Sequence, residues 1–177
     1  VEEVRRFMDE HGAVVVKPIH GNGGKAIFRV PESGDNLTAL FEVFNQTWPE
    51  PHMVQPFLPE VAEGDKRIVL VDGEIAGAIN RIPGEGEFRS NLAMGGSAEA
   101  TRLTTREREI CEAMGPDLKR LGLTFVGIDV IGGKWLTEIN VTSPTGIVAI
   151  ENFDGTDVAS MIWDAIEARH AALEKRA

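Results

Sequence analysis

The most informative stretch of this chain reads Gly127-Ile128-Asp129-Val130-Ile131-Gly132-Gly133-Lys134-Trp135-Leu136-Thr137-Glu138-Ile139-Asn140. Two apolar runs flank a Gly-Gly pair, which is the pattern of two antiparallel strands joined by a tight turn. Glu138 and Asn140 lie two residues apart, so they point to the same face of the second strand. Asp129, on the first strand, reaches that face if the turn sets the register accordingly. Two carboxylates and an amide oxygen on one face suit a hard cation such as Mg²⁺ that is shared with phosphates.

The residues that follow this hairpin favour a binding site over a simpler interpretation. Taken alone, the hairpin fits a half-buried pair of strands with polar residues on the solvated face equally well. The next residues, Val141-Thr142-Ser143-Pro144-Thr145-Gly146, place small hydroxyl side chains around a proline. Such a loop after a carboxylate-bearing strand favours substrate binding, with Ser143 and Thr145 as candidate contacts.

Composition bounds the size and the partners of the protein. A chain of 177 residues is long enough for one sizeable domain or for two small lobes. Its net charge of -10, from 18 basic and 28 acidic residues, argues against broad nucleic-acid binding. No run of about 18 apolar residues is present, so no membrane span is predicted. The single cysteine, Cys111, excludes an intrachain disulfide and fits the reducing environment of the cytoplasm.

A glycine-rich loop near the start of the chain is a candidate phosphate site. A predicted strand over 13–18, which carries Lys17, leads into His20-Gly21-Asn22-Gly23-Gly24-Lys25, and a second predicted strand, 26–30, follows. Backbone N–H groups at these glycines suit phosphate oxygens, and Lys17 supplies a point charge. The loop lacks the spacing and the following helix of a Walker A loop or a dinucleotide fingerprint. A glycine hairpin without a ligand remains the alternative.

Two later segments carry further candidate groups. The apolar run 53–58, Met53-Val54-Gln55-Pro56-Phe57-Leu58, is interpreted as a hinge between two lobes whose backbone suits an adenine ring, or as a plain buried strand. Arg67 and Arg81 lie near the start and at the end of two strands joined by an Asp-Gly turn. The two arginines are expected close together, where they suit a phosphoryl group or a substrate carboxylate. The alternative is a pair of solvated strand ends.

The remaining segments supply a loop and two helices. The glycine-rich loop 82–97 is predicted to be a lid that carries Asn91, with disorder without function as the alternative. The helix 104–121 is expected to begin with a capping box of Thr104 and Glu107 and to kink or break at Pro116. A final helix over 156–173 is expected to bury Val158, Met161, Ile162, Ala165 and Ile166.

Together these segments resemble the ATP-grasp domain of the bacterial glutathione synthetase family. The matching stretches are Val16-Lys17-Pro18-Ile19-His20-Gly21-Asn22-Gly23-Gly24, Gly64-Asp65-Lys66-Arg67, Arg81-Ile82-Pro83, Asn91-Leu92-Ala93, Gly127-Ile128-Asp129-Val130 and Thr137-Glu138-Ile139-Asn140-Val141-Thr142-Ser143-Pro144-Thr145. The resemblance implies an α+β ATP-grasp fold in which two α+β lobes hold the nucleotide between antiparallel sheets. Residues 1–56 would form the small lobe with the glycine-rich loop, and residues 57–177 the large lobe with the arginines, the lid and the metal hairpin.

The resemblance also implies roles for individual residues. ATP would contact Lys17, Gly23, Gly24, Gln55, Phe57, Leu58 and, near the ribose, Asp65. Arg67 and Arg81 would be catalytic, and Asn91, Ser143 and Thr145 would bind the substrate. Asp129, Glu138 and Asn140 would hold two Mg²⁺ ions, for which Mn²⁺ can substitute.

The implied reaction is the ATP-dependent ligation of γ-glutamylcysteine to glycine through an acyl phosphate, in a cytoplasmic homo-oligomer. Two departures from the family are expected to matter. The sequence lacks the family's preceding N-terminal domain, so it is interpreted as a fragment, and Gly146 replaces a larger side chain of some relatives. The alternatives are another ATP-grasp carboxylate–amine ligase, which adds glutamate to a protein tail or joins D-alanines, and a nucleotide-binding fragment that is inactive alone.

Overall fold

The computed structural model describes residues 1–20, 23–47, 49–91 and 95–175, which fall into two compact units, Val1–Pro59 and Glu60–Ala177. The elements of the first unit are α1 (Glu2–His11), β1 (Val14–Pro18), β2 (Phe28–Val30), α2 (Leu37–Thr47) and β3 (His52–Pro56). A short 3₁₀ helix, Pro59–Glu63, lies at the boundary. The elements of the second unit are β4 (Asp65–Val71), β5 (Glu74–Ile82), β6 (Ser97–Ala100), α3 (Thr105–Arg120), β7 (Phe125–Ile131), β8 (Trp135–Asn140), α4 (Ile147–Asp154) and α5 (Val158–Glu174).

The first unit is an antiparallel three-stranded sheet in the order β2-β1-β3, with two helices packed on one face. Its core combines side chains of both helices with alternate residues of the strands: Val4, Met8, Val14, Val16, Val30, Leu37 and Phe44. Because side chains alternate along a strand, Val15 and Lys17 lie on the opposite face, together with Arg29 and Gln55, the register partners of Val15. This face of the sheet therefore carries Lys17, a candidate phosphate contact, and Gln55, a candidate adenine contact.

The second unit is built on a five-stranded antiparallel sheet in the order β6-β5-β4-β7-β8. Both predicted hairpins are confirmed. Asp72 and Gly73, between β4 and β5, have φ values of 49° and 85°, and Gly132 and Gly133, between β7 and β8, have 61° and 66°. Two consecutive residues with positive φ are typical of the tight turns that match the twist of paired strands.

The two faces of this sheet bury different sets of side chains. One face packs against α3 through a cluster of Ile68, Leu70, Ile110, Cys111, Leu118, Val126, Ile128 and Val130. The other face packs against α4 and α5 through Val69, Val71, Ala76, Ile79, Ile150 and Val158. Arg67 of β4 shares this second face with Val69 and Val71, because the three residues alternate along the strand. The sheet therefore carries its charged residues at one end of a face that is otherwise apolar.

One of the two predictions made for the helix α3 needs correction. The capping box is present, since Thr104 accepts from the Glu107 N–H and Glu107 accepts from the Thr104 N–H. Of the kink or break expected at Pro116, the break is wrong, because α3 continues through Pro116 to Arg120. The exposed proline removes only one backbone hydrogen bond, and Gly115 and Leu118 on either side of it are buried against the sheet.

The last helix is also less buried than its pattern predicts. Val158 is buried and Met161, Ile162 and Ala165 pack against the same cluster, but Ile166 is 42% exposed. The structure further contains α4 and β6, which the sequence pattern did not indicate. Within the described residues, no helix is both long enough and apolar enough to cross a membrane.

Candidate active site

Asp129 lies in the middle of β7 and accepts hydrogen bonds from two arginines. Its register partner on β4 is Arg67, whose Nε lies 2.5 Å from Oδ1 and whose Nη2 lies 3.1 Å from Oδ2. Arg81 of β5 reaches the same carboxylate, with Nη2 2.9 Å from Oδ2. Arg67, Arg81 and Asp129 are only 4%, 3% and 3% exposed. The alternative in which the arginines are solvated strand ends is therefore wrong.

A second carboxylate, Asp65, completes this cluster of charges. It faces Arg81 in the β4–β5 register, and Arg81 Nη2 lies 2.6 Å from Asp65 Oδ2. The same oxygen accepts the hydroxyl of Ser90 at 2.8 Å. Arg81 is therefore held between two carboxylates. We refer to Asp65, Arg67, Arg81 and Asp129 as the arginine–aspartate cluster.

The two carboxylates of the cluster differ in their proton affinity. Burial acts to raise the pKa of Asp129, but the charges and hydrogen bonds of Arg81 and Arg67 outweigh it, and the pKa lies below its ordinary value. Burial, followed by the negative charge of Asp129, raises the pKa of Asp65 to about 6. Asp129 is thus the more acidic of the two carboxyl groups. Repulsion between the two carboxylates contributes to the raised pKa of Asp65.

The loop after β8 packs directly on Arg67. Arg67 Nη1 donates to the carbonyl of Thr145 at 3.0 Å. A Cβ at Gly127 would lie 2.7 Å from the Pro144 Cβ and 3.2 Å from the Arg67 Cδ, so only glycine leaves room for this contact. Gly146 has a φ of 120°, which favours glycine as well. The Arg67 side chain therefore positions the predicted substrate loop by contacting the backbone of that loop. The side chains of Ser143 and Thr145 are exposed.

The residues predicted to hold metal lie together at the edge of the sheet. Asp129 pairs with Glu138 and Gly127 pairs with Asn140, so the three polar side chains share one face of β7 and β8. Asn140 Nδ2 is buried without a hydrogen-bond partner. Rotation of the Asn140 amide by half a turn exchanges the positions of Nδ2 and Oδ1. This rotation would offer Oδ1 as a metal ligand.

This set fits Mg²⁺ or Mn²⁺ that takes its remaining ligands from phosphate. Hard divalent cations prefer carboxylate and amide oxygens, and Mg²⁺ is commonly held by one or two carboxylates together with substrate phosphates. Among the described residues, no group of three or more His, Cys, Asp or Glu side chains could hold a metal unaided. The donor set at Asp129, Glu138 and Asn140 is compatible with a cation whose remaining ligands are phosphate oxygens.

In the first unit, the structure places Lys17 and Gln55 on one face of the sheet. Lys17 faces Met53 and Gln55 faces Val15 in the β1–β3 register. Gly23 and Gly24 have φ values of 64° and 76°, in the region that favours glycine. Gly21 and Asn22, which belong to the predicted phosphate loop, lie outside the described residues.

The predicted adenine segment continues past the end of β3. Phe57 donates its N–H to the Ala13 carbonyl at 2.8 Å, and Phe57 and Leu58 are both partly buried. The guanidinium of Arg29 lies 4.1 Å from the centre of the Phe57 ring. This cation–π contact keeps Arg29 on the polar face of the sheet.

Three contacts of these sites were absent from the sequence prediction. Asp65 was predicted near the ribose, and its contacts with Arg81 and Ser90 were not predicted. Ser90 itself had no signal beyond being the neighbour of Asn91, whose carbonyl accepts from Gly96 at 3.3 Å. Arg29 could have been found by counting alternate residues along Phe28-Arg29-Val30. Leu92 and Ala93, part of the matching stretch, lie outside the described residues.

The architecture is that of an ATP-grasp protein. The structure is similar to that of a D-cycloserine synthetase, with a TM-score of 0.71 and 20% sequence identity, over 95% of this chain and 60% of that one. It is also similar to D-alanine–D-alanine ligase from Bacillus anthracis complexed with ATP, with a TM-score of 0.64 and 19% identity, over 93% of this chain and 56% of that one. At such identities the likeness establishes the fold.

Sequence comparison then gives the family. Residues 1–155 match the prokaryotic glutathione synthetase ATP-grasp domain, and the chain belongs to this family. Glutathione synthetase of Rhodopseudomonas palustris is 58% identical over 170 residues, 96% of this chain and 54% of the relative. That of Bradyrhizobium diazoefficiens is 56% identical over 171 residues, 97% of this chain and 54% of the relative. The chain thus spans about half the length of the curated relatives it matches.

Proposed function

We propose that this chain contributes the ATP-binding and ligating residues of a glutathione synthetase. The reaction joins the cysteine carboxylate of γ-glutamylcysteine to the amine of glycine and converts ATP to ADP and phosphate. The observation that carries the proposal is the pair of buried arginines on Asp129, which lies opposite Glu138 on the neighbouring strand. The identity of 58% to a named glutathione synthetase supports this choice of substrates.

In the first step, a carboxylate oxygen of γ-glutamylcysteine attacks the γ-phosphorus of ATP. An O–P bond forms, the bond between the γ-phosphorus and the bridging oxygen breaks, and ADP leaves with the electron pair. Lys17 and the N–H groups of Gly23 and Gly24 bind the phosphates. Asp129, Glu138 and Asn140 would hold Mg²⁺, which would neutralise charge on the phosphate oxygens.

In the second step, the glycine nitrogen attacks the acyl carbon and gives a tetrahedral intermediate. The C–N bond forms, the C–O bond to phosphate breaks with the electron pair leaving on phosphate, and the nitrogen loses a proton to solvent. Arg67 and Arg81 stabilise the negative charge that develops on the acyl and phosphoryl oxygens. Their bonds to Asp129 and Asp65 fix both guanidinium groups before the substrates arrive, so little reorganisation is needed during reaction.

The remaining contacts follow from the same reaction. Gln55, Phe57 and Leu58 line the adenine, and Asn91, Ser143 and Thr145 contact the dipeptide or glycine. Cys111 is buried and unpaired, which suits the cytoplasm, and the active form is a homo-oligomer as the resemblance implies.

An isotope experiment tests the acyl phosphate directly. γ-Glutamylcysteine labelled with ¹⁸O in the cysteine carboxylate is incubated with ATP, Mg²⁺ and glycine. The proposed route transfers one ¹⁸O from the carboxylate to the released phosphate, and the glutathione retains the other. Phosphate without label, when glutathione is formed, would exclude the acyl phosphate.

A further inference from the structure

Ser90 is a buried side chain in a loop that also contains exposed residues. Glu85, Gly86 and Glu87 are exposed, whereas Ser90 is 3% exposed. Its hydroxyl donates to Asp65 Oδ2 at 2.8 Å. A buried serine with a charged acceptor makes a stronger hydrogen bond than one with a neutral acceptor. Ser90 therefore connects this loop to the arginine–aspartate cluster.

The backbone around Ser90 holds its side chain in place. Glu87 N–H donates to the Gly84 carbonyl at 3.0 Å and closes a turn just before it. Arg89 pairs with Glu87 at 2.9 Å. On the other side, Gly96 packs so closely that an added Cβ would overlap the Ser90 carbonyl oxygen. Ser90 thus has little freedom to leave Asp65.

The hydrogen bonds of Asp65 are concentrated on one oxygen. Oδ2 accepts from both Ser90 and Arg81 Nη2, whereas Oδ1 is buried without a hydrogen-bond partner. These two donors set the rotation of the carboxylate. Arg81 in turn is held by two of its nitrogen atoms. Nη2 lies between the carboxylates of Asp65 and Asp129, and Nε donates to the backbone carbonyl of Asp65 at 3.4 Å. The orientation of Arg81 therefore depends on Asp65, and that of Asp65 depends on Ser90.

We propose that Ser90 is a positioning residue for Arg81 and acts through the Asp65 carboxylate. The catalytic consequence rests on the proposed function, since it requires Arg81 to contact the reacting groups. The hydrogen-bond relay from Ser90 to Asp65 to Arg81 is a physical property that can be measured without turnover. Without the hydroxyl, Asp65 can rotate and Arg81 spends less time in the orientation that the transition state requires.

The test compares Ser90→Ala with Ser97→Ala, a control at an exposed serine of β6. The first readout is the ¹⁵N-edited NMR signal of the Arg81 Nε–H group, assigned by its loss in Arg81→Lys. Ser90→Ala removes the hydrogen bond from Ser90 to Asp65 and so loosens the contact of Asp65 with Arg81. Exchange of the Arg81 Nε–H group with solvent should therefore become faster by about tenfold or more. Ser97→Ala should leave the rate unchanged. If Ser90→Ala does not fold, Ser90→Cys, which keeps the size and weakens the donor, takes its place.

The second readout is ADP formation with γ-glutamylcysteine and glycine. Ser90→Ala should lower kcat by about tenfold, leave the KM for ATP unchanged, and have no further effect in an Arg81→Lys background. Unchanged Arg81 exchange would overturn the proposal, as would faster exchange with an unchanged kcat. Faster exchange together with ADP formation that does not depend on γ-glutamylcysteine and glycine would retain the relay and overturn the proposed function instead.

Discussion

At the scale of single residues, the arginine–aspartate cluster is a balanced arrangement of buried charges. Two guanidinium groups and two carboxylates are nearly excluded from solvent, and each makes hydrogen bonds with an oppositely charged neighbour. Burial of an ion is costly unless it is paired, and loss of one partner leaves the other uncompensated. Substitutions within the cluster should therefore lower stability as well as turnover.

Arg81→Ala should lower kcat roughly 100- to 1000-fold, the usual effect of removing one donor that stabilises developing charge. Arg106→Ala is the matched control, because Arg106 is exposed and pairs with Glu109 on the surface of α3. Steady-state assays of ADP formation measure both variants. A loss smaller than tenfold for Arg81→Ala, or an equal loss for the control, would remove Arg81 from the catalytic residues.

Glu138→Gln should weaken the binding of ATP in the presence of Mg²⁺, since it removes one of the two carboxylates at the candidate metal site. Binding in the absence of Mg²⁺ should change little. Calorimetric titration of ATP across a range of Mg²⁺ concentrations separates the two effects. Equal affinity of both proteins at every Mg²⁺ concentration would contradict the assignment of Glu138 as a ligand.

Asp65 should make the protein less stable as the pH rises from about 4 to about 6. Its pKa is about 6 in the folded chain against an ordinary value of 3.8, so the folded state holds the proton more tightly than the unfolded state. Raising the pH through this window removes that proton and favours unfolding. Urea titrations should therefore show that the free energy of unfolding of the wild type, minus that of Asp65→Asn, falls across this window. A constant or rising difference would contradict the shift.

At the scale of elements, local patterns predicted the helices α3 and α5 and the two hairpins of the second unit. The Asp-Gly and Gly-Gly turns and the capping box of α3 depend on neighbouring residues, so the sequence contains their determinants. Pro116 was misjudged because burial of α3 against the sheet outweighs one missing backbone hydrogen bond. The short helix α4 was missed because its first turn follows Gly146 with no capping side chain.

The capping box should contribute measurably to the stability of α3. Thr104→Ala removes the side chain that accepts from the Glu107 N–H and should lower the free energy of unfolding by about 1 kcal/mol. Thr105→Ala, one residue later on the exposed surface, is the matched control. Urea unfolding monitored by circular dichroism gives both values. An equal loss in the two variants would show that the cap contributes nothing specific.

At the scale of the whole molecule, sequence and structure contribute different parts of the candidate site. The residue types and their strands could be read from the sequence, because period-two alternation places Glu138 and Asn140 on one face. That Asp129 accepts from Arg67, 62 residues away, depends on β4 lying between β5 and β7. Strand order is set by long-range packing, so local patterns could not predict that the arginines share one carboxylate, or that Ser90 reaches Asp65.

The most direct test is ADP release by this chain with ATP and Mg²⁺, measured with γ-glutamylcysteine and glycine each alone and together. The proposed function predicts rapid ADP formation only when both are present, with glutathione formed in equal amount. Arg81→Ala should abolish most of this rate, and Arg106→Ala should retain it. ADP release that is independent of the two substrates would contradict the proposal, whereas no release with both present would favour the alternative of a nucleotide-binding fragment that is inactive alone.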